Sequence, residues 1–430
     1  MTATFDPEDE VHGLLAYLDA SPTPFHAAAE AAARLRAAGF APVDLADEFP
    51  EGPGRYVAVA DGALVAWIAP PDLPASAPMR VIGAHTDSPT LRVKPRPDHV
   101  KAGWQMLGVA PYGGLLLNSW LDRDLGLAGR VVVRGEPGAP SVRLFHDPAP
   151  TVRVAQLAIH LDRTVNDTGL VLNPQAHLVP LWGLGEASAS FPAYLADLVG
   201  VDPADVLAWD AMTYDTQPAG RIGRERDLVA SGRLDNLVSA YAGVRALASV
   251  EPAAHRAILV LFDHEEVGSQ SSRGAQSTLL PSLARRIVHA AGGDAEDYER
   301  AVAASVVASA DMAHGVHPNY ADRHEPNHPV ALNAGPVLKV NPEMRYASDA
   351  VGAAHLRRAA EAAQAPLQTF VMRSDLACGS TIGPITAARF GACTVDVGAP
   401  MLSMHSAREL CGARDLAPYA ATLAAFIDVS

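Results

Sequence analysis

Ala257-Ile-Leu-Val-Leu-Phe262-Asp-His-Glu-Glu-Val-Gly-Ser269 reads as an apolar strand that runs out into two adjacent glutamates, Glu265 and Glu266. The unbroken run Ala257–Phe262 has the length and composition of a buried strand. Two carboxylates carried out of such a strand are costly unless protons, hydrogen bonds or a metal ion compensate them. Neighbouring side chains diverge, so one carboxylate can bind a metal while the other reaches that metal's water, a division suited to a hydrolase. A glutamate pair alone is usually a surface-loop feature; the rest of the chain sets this one apart.

Working outward, helix and strand alternate on the C-terminal side. Helices are expected over 235–248, 279–291, 349–363, 381–389 and, mainly, 406–426, with strands over 305–310, 367–371 and 392–397. On the N-terminal side, helices over 10–20 and 25–38 precede strands over 55–60, 64–69 and 79–84. Between them, short β-type runs at 115–118, 129–134 and 141–145 are punctuated by Gly and Pro. The expected fold is α/β: a mixed sheet flanked by helices, in a discontinuous catalytic domain of residues 1–91 and 230–430, with a β-rich unit inserted at 92–229.

Each apolar strand delivers a potential ligand. Val81–Ala84 leads to His85 and Asp87, Val306–Ala310 to Asp311, and Thr394–Val397 to His405, while Asp235 opens a helix. Ligands of open α/β sheets bind beyond the carboxyl ends of the strands, so these segments can converge. Two imidazoles with Asp235, Glu266 and Asp311 make a donor set for two zinc ions, one carboxylate bridging and one position left for a shared water. Asp87 is placed to take the second N–H of His85 and fix its tautomer. Glu265 is left as general base. Singly, each residue has an ordinary structural use, such as an N-cap for Asp235; jointly, they form a catalytic metal site.

The composition agrees. The chain of 430 residues is 49% apolar and 19% charged, which suits a folded protein of more than one structural unit. A net charge of −15 argues against nucleic-acid and anionic-membrane partners. No apolar stretch reaches the length of a membrane span, and the acidic N-terminus is unlike a signal peptide. Cys378, Cys393 and Cys411 form no CxxC pair, which fits packing roles in a reducing cytoplasm.

Several long blocks resemble the aspartyl aminopeptidase family of dinuclear zinc metallopeptidases. They include Ala84-His-Thr-Asp-Ser-Pro89, Asn118-Ser-Trp-Leu-Asp-Arg123, Ala158-Ile-His-Leu161, Gly232-Arg-Leu-Asp-Asn236 and Phe262-Asp-His-Glu-Glu-Val-Gly-Ser269. Ala310-Asp-Met-Ala-His-Gly-Val-His-Pro-Asn319, Gly335-Pro-Val-Leu-Lys-Val-Asn341, Cys378-Gly-Ser-Thr-Ile-Gly-Pro384 and Met404-His-Ser-Ala-Arg-Glu409 continue the match in the same order. The resemblance implies that His85, Asp235 and Asp311 hold one zinc, and Asp235, Glu266 and His405 the other, with Glu265 as base. It implies that His160 reaches a neighbouring subunit's active site, that the inserted unit dimerises, and that the assembly is a tetrahedral dodecamer built from dimers. It also implies preference for N-terminal Asp or Glu in peptides, with Lys339 as the pocket cation and Tyr346 on the same wall.

The expected activity is therefore that of a cytoplasmic metallo-aminopeptidase using two Zn²⁺ per subunit, with Co²⁺ or Mn²⁺ fitting the same ligands. The alternatives are a broad-specificity aminopeptidase or an N-acyl amino-acid deacylase on the same scaffold. Outside that class stand a non-catalytic assembly protein, which the intact donor set disfavours, and a metal-free sugar or phosphate enzyme, which would contain no zinc.

Overall fold

The Ala257 run lies at the centre of a sheet whose strands are apolar because helices cover both faces. The computed structural model describes residues 5–136, 139–185 and 190–428. In chain order, β1 (Ala41–Pro42), β2 (Gly54–Ala60), β3 (Ala63–Ala69) and β4 (Met79–His85) come first. They are followed by β5 (Thr90–Lys101), β6 (Trp104–Tyr112), β7 (Leu125–Val133), β8 (Ser141–Val152), β9 (Leu181–Leu184) and β10 (Val206–Asp215). Next are β11 (Gly220–Ile222), β12 (Leu228–Ser231), β13 (Arg256–Phe262), β14 (Val306–Ala310) and β15 (Ala313–His314). The last are β16 (Val337–Val340), β17 (Gln368–Val371), β18 (Cys393–Gly398), β19 (Pro400–Leu402) and β20 (Glu409–Gly412).

The nine-stranded sheet has the order β1-β2-β3-β13-β4-β14-β18-β16-β17. Its centre, β13-β4-β14-β18, is parallel, and β3 and β16 join it antiparallel. Every residue of β13 and β14 is buried, as strands sandwiched between helix layers require. Helices Leu234–Ser249 and Leu416–Asp428 pack on one face, with Leu237, Leu259, Val395 and Leu423 in their core. Helices Leu279–Ala290 and Ile382–Phe390 close the other face over Val81, Ile258, Val260 and Val307.

A six-stranded antiparallel sheet, β8-β7-β10-β5-β6-β9, occupies residues between 90 and 215. Its core gathers Leu91, Leu107, Val131 and Phe145 beneath helix Phe191–Val199. A third sheet, β11-β12-β20-β19-β15, lies beside the C-terminal ends of the central strands.

Three local expectations are corrected. Residues 115–118 are not a strand: the segment ends in a short 3-10 helix, Leu117–Trp120, because the Leu116 N–H is used on the His405 carbonyl instead of a sheet partner. The stretch 406–426 contains β20, paired between β12 and β19, then a 3-10 turn at Ala413–Asp415, and becomes α-helical only at Leu416. Helix Ala295–Ala303 was not anticipated, although Asp294 and Asp297 form a capping box at its start. The three cysteines are unpaired.

Candidate metal centre

The carboxyl ends of the parallel strands bring His85, Asp235, Glu266 and His405 together, with Asp311 beside Lys339. His85 closes β4 in register with Phe262, the last residue of β13, and Asp311 follows β14 directly. Beyond β13, His264 takes a left-handed φ of 66°, which few non-glycine residues adopt. That turn aims the Glu265 and Glu266 N–H groups at the Asp87 carboxylate, 3.0 and 3.1 Å away. Arg233, before the Asp235 helix, and His405 itself are also left-handed, at φ 64° and 68°. Such backbones persist where their surroundings over-determine them; Arg233 is pinned by hydrogen bonds to the Ser21 and Leu18 carbonyls.

Asp235 lies between the two imidazoles. Its Oδ1 is 3.6 Å from His85 Nε2, and its Oδ2 is 3.3 Å from His405 Nε2. Glu266 Oε2 is 3.4 Å from the same His405 nitrogen. Ligand atoms of His85, Asp235 and Glu266 lie within 4.8 Å of one another. Both imidazoles commit Nδ1 to a backbone carbonyl, His85 to Asp87 at 3.0 Å and His405 to Gly114 at 2.9 Å. A carbonyl only accepts, so each Nδ1 carries a proton and each Nε2 faces the carboxylates, the orientation metal-binding histidines adopt. Asp235 Oδ1 and Glu266 Oε1 are buried without a hydrogen-bond donor. These residues fit zinc.

Burial and mutual repulsion shift the titration of the clustered carboxylates. Burial, reinforced by Asp235, pushes Glu266 well above the usual carboxylate range. Burial raises Asp311 to about 6, with Lys339 pulling the other way. Burial disfavours a charged His405, yet Asp235 and Glu266 draw its pKa up to about 10. Burial likewise opposes ionisation of Asp235, but contacts with His405 and His85 hold it well below the usual value.

Asp87 faces His85 Nδ1 with both its backbone carbonyl and its carboxylate. The nearest acceptor for His85 Nδ1 is the Asp87 backbone carbonyl, with the side-chain Oδ1 farther off at 3.4 Å. The carboxylate is occupied by the two glutamate N–H groups and by the Tyr112 hydroxyl at 2.7 Å. Lys339 is buried, its Nζ donating to the Met312 carbonyl at 3.0 Å and 3.8 Å from Asp311 Oδ1. It lies over the Tyr346 ring, 5.1 Å from the centroid. His160 is exposed on a short 3-10 helix, Ile159–Leu161; among the described residues no contact joins it to this centre.

Two residues of the site went unread in the sequence. Glu409 is buried and accepts the N–H of Asp235 at 3.0 Å and of His405 at 2.7 Å; an acid four residues past a candidate ligand was the available signal. Gly398 passes so near the Asp311 carbonyl that a Cβ would fall 1.8 Å from it, so only glycine allows β18 beside that ligand.

Residues 17–427 match the family described as aminopeptidase I zinc metalloprotease (M18). The chain belongs to the M18 aminopeptidases. This M18 chain is 52% identical over 424 residues to the probable M18 family aminopeptidase 2 of Mycobacterium tuberculosis, covering 97% of each. It superimposes on a chain of the cryo-EM structure of the Ape4 and Nbr1 complex with a TM-score of 0.94 at 34% identity, over 99% of this chain and 87% of that one. Against the S. cerevisiae mApe1 dodecamer the TM-score is 0.85 at 27% identity, over 97% and 96%. The M18 chain is accordingly a zinc-dependent metallo-aminopeptidase. Among its described residues no helix is long and apolar enough to cross a membrane.

Proposed function

We propose that this M18 aminopeptidase removes the N-terminal residue of peptides at a dinuclear zinc centre and prefers Asp or Glu there. His85, Asp235 and Asp311 would hold one ion, and Asp235, Glu266 and His405 the other. The observation that carries this reading is the Asp235 carboxylate, which offers one oxygen toward each imidazole. Zinc bound there supplies Lewis acidity and lowers the pKa of a coordinated water; cobalt or manganese suits the same donors.

Glu265 takes the proton of the attacking water and returns it to the leaving amine. Its carboxylate has no hydrogen-bond partner among the described residues. Burial, against the pull of His85 and with Asp311 and Asp87 nearby, raises it above the usual carboxylate range. Asp87 holds the base in place through the backbone N–H bonds.

A buried ammonium beside the centre supports the acidic preference: Lys339 would pair with the substrate side-chain carboxylate, and Tyr346 lies beneath it. One observation favours a second reading, a broad-specificity aminopeptidase. Lys339 already faces Asp311 and the Met312 carbonyl, which compensate its charge without a substrate.

Residues 92–229 are assigned to an inserted unit that dimerises, with His160 completing a neighbouring subunit's site. Leu157, Ile159, Leu161 and Val171 near His160 are exposed, Leu161 at 75% and Val171 at 86%, as suits a surface covered by another subunit. The mApe1 dodecamer of S. cerevisiae supports a dodecamer, which this reading builds tetrahedrally from dimers. The cytoplasm is the proposed compartment.

The deciding experiment is Glu265→Gln, with zinc content and hydrolysis of an Asp-initiated peptide measured together. Retained zinc with activity lower by at least ~100-fold supports the reading; full activity with unchanged zinc refutes it.

A further inference from the structure

We infer that the Tyr112–Gly114 segment, leaving the six-stranded sheet, is a positioning element for the metal centre, with Tyr112 acting through Asp87 on Glu265 and Glu266. The inference rests on the roles proposed above for those two glutamates. Tyr112 ends β6, and its hydroxyl donates to Asp87 Oδ2 at 2.7 Å. That oxygen also accepts the Glu266 N–H at 3.1 Å, while Asp87 Oδ1 accepts the Glu265 N–H at 3.0 Å. The phenol is itself held: the Arg92 guanidinium lies 3.7 Å from its ring centroid and the His264 ring meets it edge-on at 6.4 Å.

The next two residues touch the ligands. Gly113, at φ 76°, lies so close to Glu266 that a Cβ there would come within 3.1 Å of the Glu266 Cβ. The Gly114 carbonyl accepts from His405 Nδ1 at 2.9 Å and thereby sets which nitrogen of His405 faces Asp235. The Leu116 N–H then donates to the His405 carbonyl at 3.0 Å. One short segment therefore fixes the base-bearing turn, one carboxylate ligand and one imidazole ligand.

The physical consequence follows from Asp87. Its carboxylate receives three donors, and the hydroxyl is the only side-chain donor among those hydrogen bonds. Without it Oδ2 keeps only the Glu266 N–H, while Oδ1 keeps the Glu265 N–H and His85 Nδ1 at 3.4 Å, so the carboxylate is held less tightly and both glutamate N–H bonds loosen. A displacement of ~1 Å at a reacting group costs up to about 100-fold in rate, and loss of outer partners of metal ligands costs about 10–100-fold in affinity or activity.

The test is Tyr112→Phe in the full chain, with Tyr214→Phe as control. Tyr214 is another tyrosine of the same sheet, whose hydroxyl bonds His146 and the Asp147 carbonyl. Amide hydrogen exchange of Glu265 and Glu266 is followed in the zinc-free protein, zinc affinity by chelator competition, and kcat and KM on a peptide substrate. In Tyr112→Phe the two amides are expected to exchange ~10-fold faster and zinc to bind ~10-fold more weakly. The rate is expected to fall ~10-fold in kcat with KM held within about twofold; Tyr214→Phe changes none of these. Should Tyr112→Phe not fold, Gly113→Ala, which presses on Glu266, must weaken zinc by a similar factor. Unchanged amide exchange and unchanged zinc affinity overturn the inference, whereas a wild-type chain that binds no zinc would instead overturn the metal centre.

Discussion

Glu409 accepts the backbone N–H of Asp235 at 3.0 Å, across 174 residues of sequence. Its other oxygen accepts the His405 N–H at 2.7 Å, so one buried carboxylate ties together the two segments that carry the proposed ligands Asp235 and His405. Glu409→Gln preserves shape but turns one acceptor into an amide donor facing an N–H. Zinc affinity is expected to fall about 10–100-fold, with a lower melting temperature from the unmet hydrogen bond. Chelator competition and a thermal melt measure both, and wild-type zinc affinity in the variant would show that the loops hold without this tie.

Lys339 gives the specificity prediction. Lys339→Met keeps most of the stem and removes the charge, so the preference for an N-terminal Asp over Leu, as a ratio of kcat/KM, is expected to fall ~10-fold or more. Leu-para-nitroanilide hydrolysis should change far less. Zinc content is measured alongside, because removing one partner of a buried ion pair with Asp311 also burdens that ligand. An unchanged ratio with zinc intact would select the broad-specificity reading.

The strands that carry the site were legible because each is an unbroken apolar run with its chemistry at the end: 257–262 was expected, and Arg256–Phe262 is observed. His85 and Asp311 followed from the same rule. Tyr112 was not legible, because its meaning lies in a contact with Asp87 that no local pattern records, and for Glu409 only its spacing from His405 gave a signal, not its bond to Asp235. β20 escaped for a related reason: Glu409–Gly412 is too short to show a period and is a strand only because β12 and β19 flank it. The further partners of the Asp87 carboxylate were not legible, because backbone N–H groups are invisible in a list of side chains, yet two of them bond it beside His85 Nδ1.

A pH dependence of stability follows from His26, where helix Pro24–Ala37 meets β8. Its ring is 6.0 Å from that of His146, and its Nδ1 lies 2.7 Å from Thr23 Oγ1. Burial first, then the nearby His146 and Arg233, lower its pKa from 6.5 to about 4. Between those values the unfolded chain binds more protons than the folded one, so stability is full above the unfolded pKa and is lost as pH falls toward 4. His26→Gln is expected to shallow the decline in melting temperature over that window relative to wild type. The metal-site carboxylates titrate alike in both proteins, so the difference between the two curves isolates His26; parallel curves would refute the assignment.

His160 allows a test that separates a role across subunits from one within a chain. It is exposed and touches nothing at its own centre among the described residues, whereas Glu265 belongs to its own chain's turn. His160→Ala and Glu265→Gln should each be nearly inactive alone, by about 100-fold or more if His160 acts as an oxyanion donor. In a mixed dimer, one of the two sites then combines an intact Glu265 with an intact His160 from the neighbour. Co-expressing the two variants with different tags and isolating the mixed assembly should therefore restore a substantial fraction of wild-type kcat, up to about half in a simple dimer, since pairing leaves one good site in two. If His160 acted within its own chain, no mixed pair would contain a complete site, and the mixture would stay as inactive as its parents.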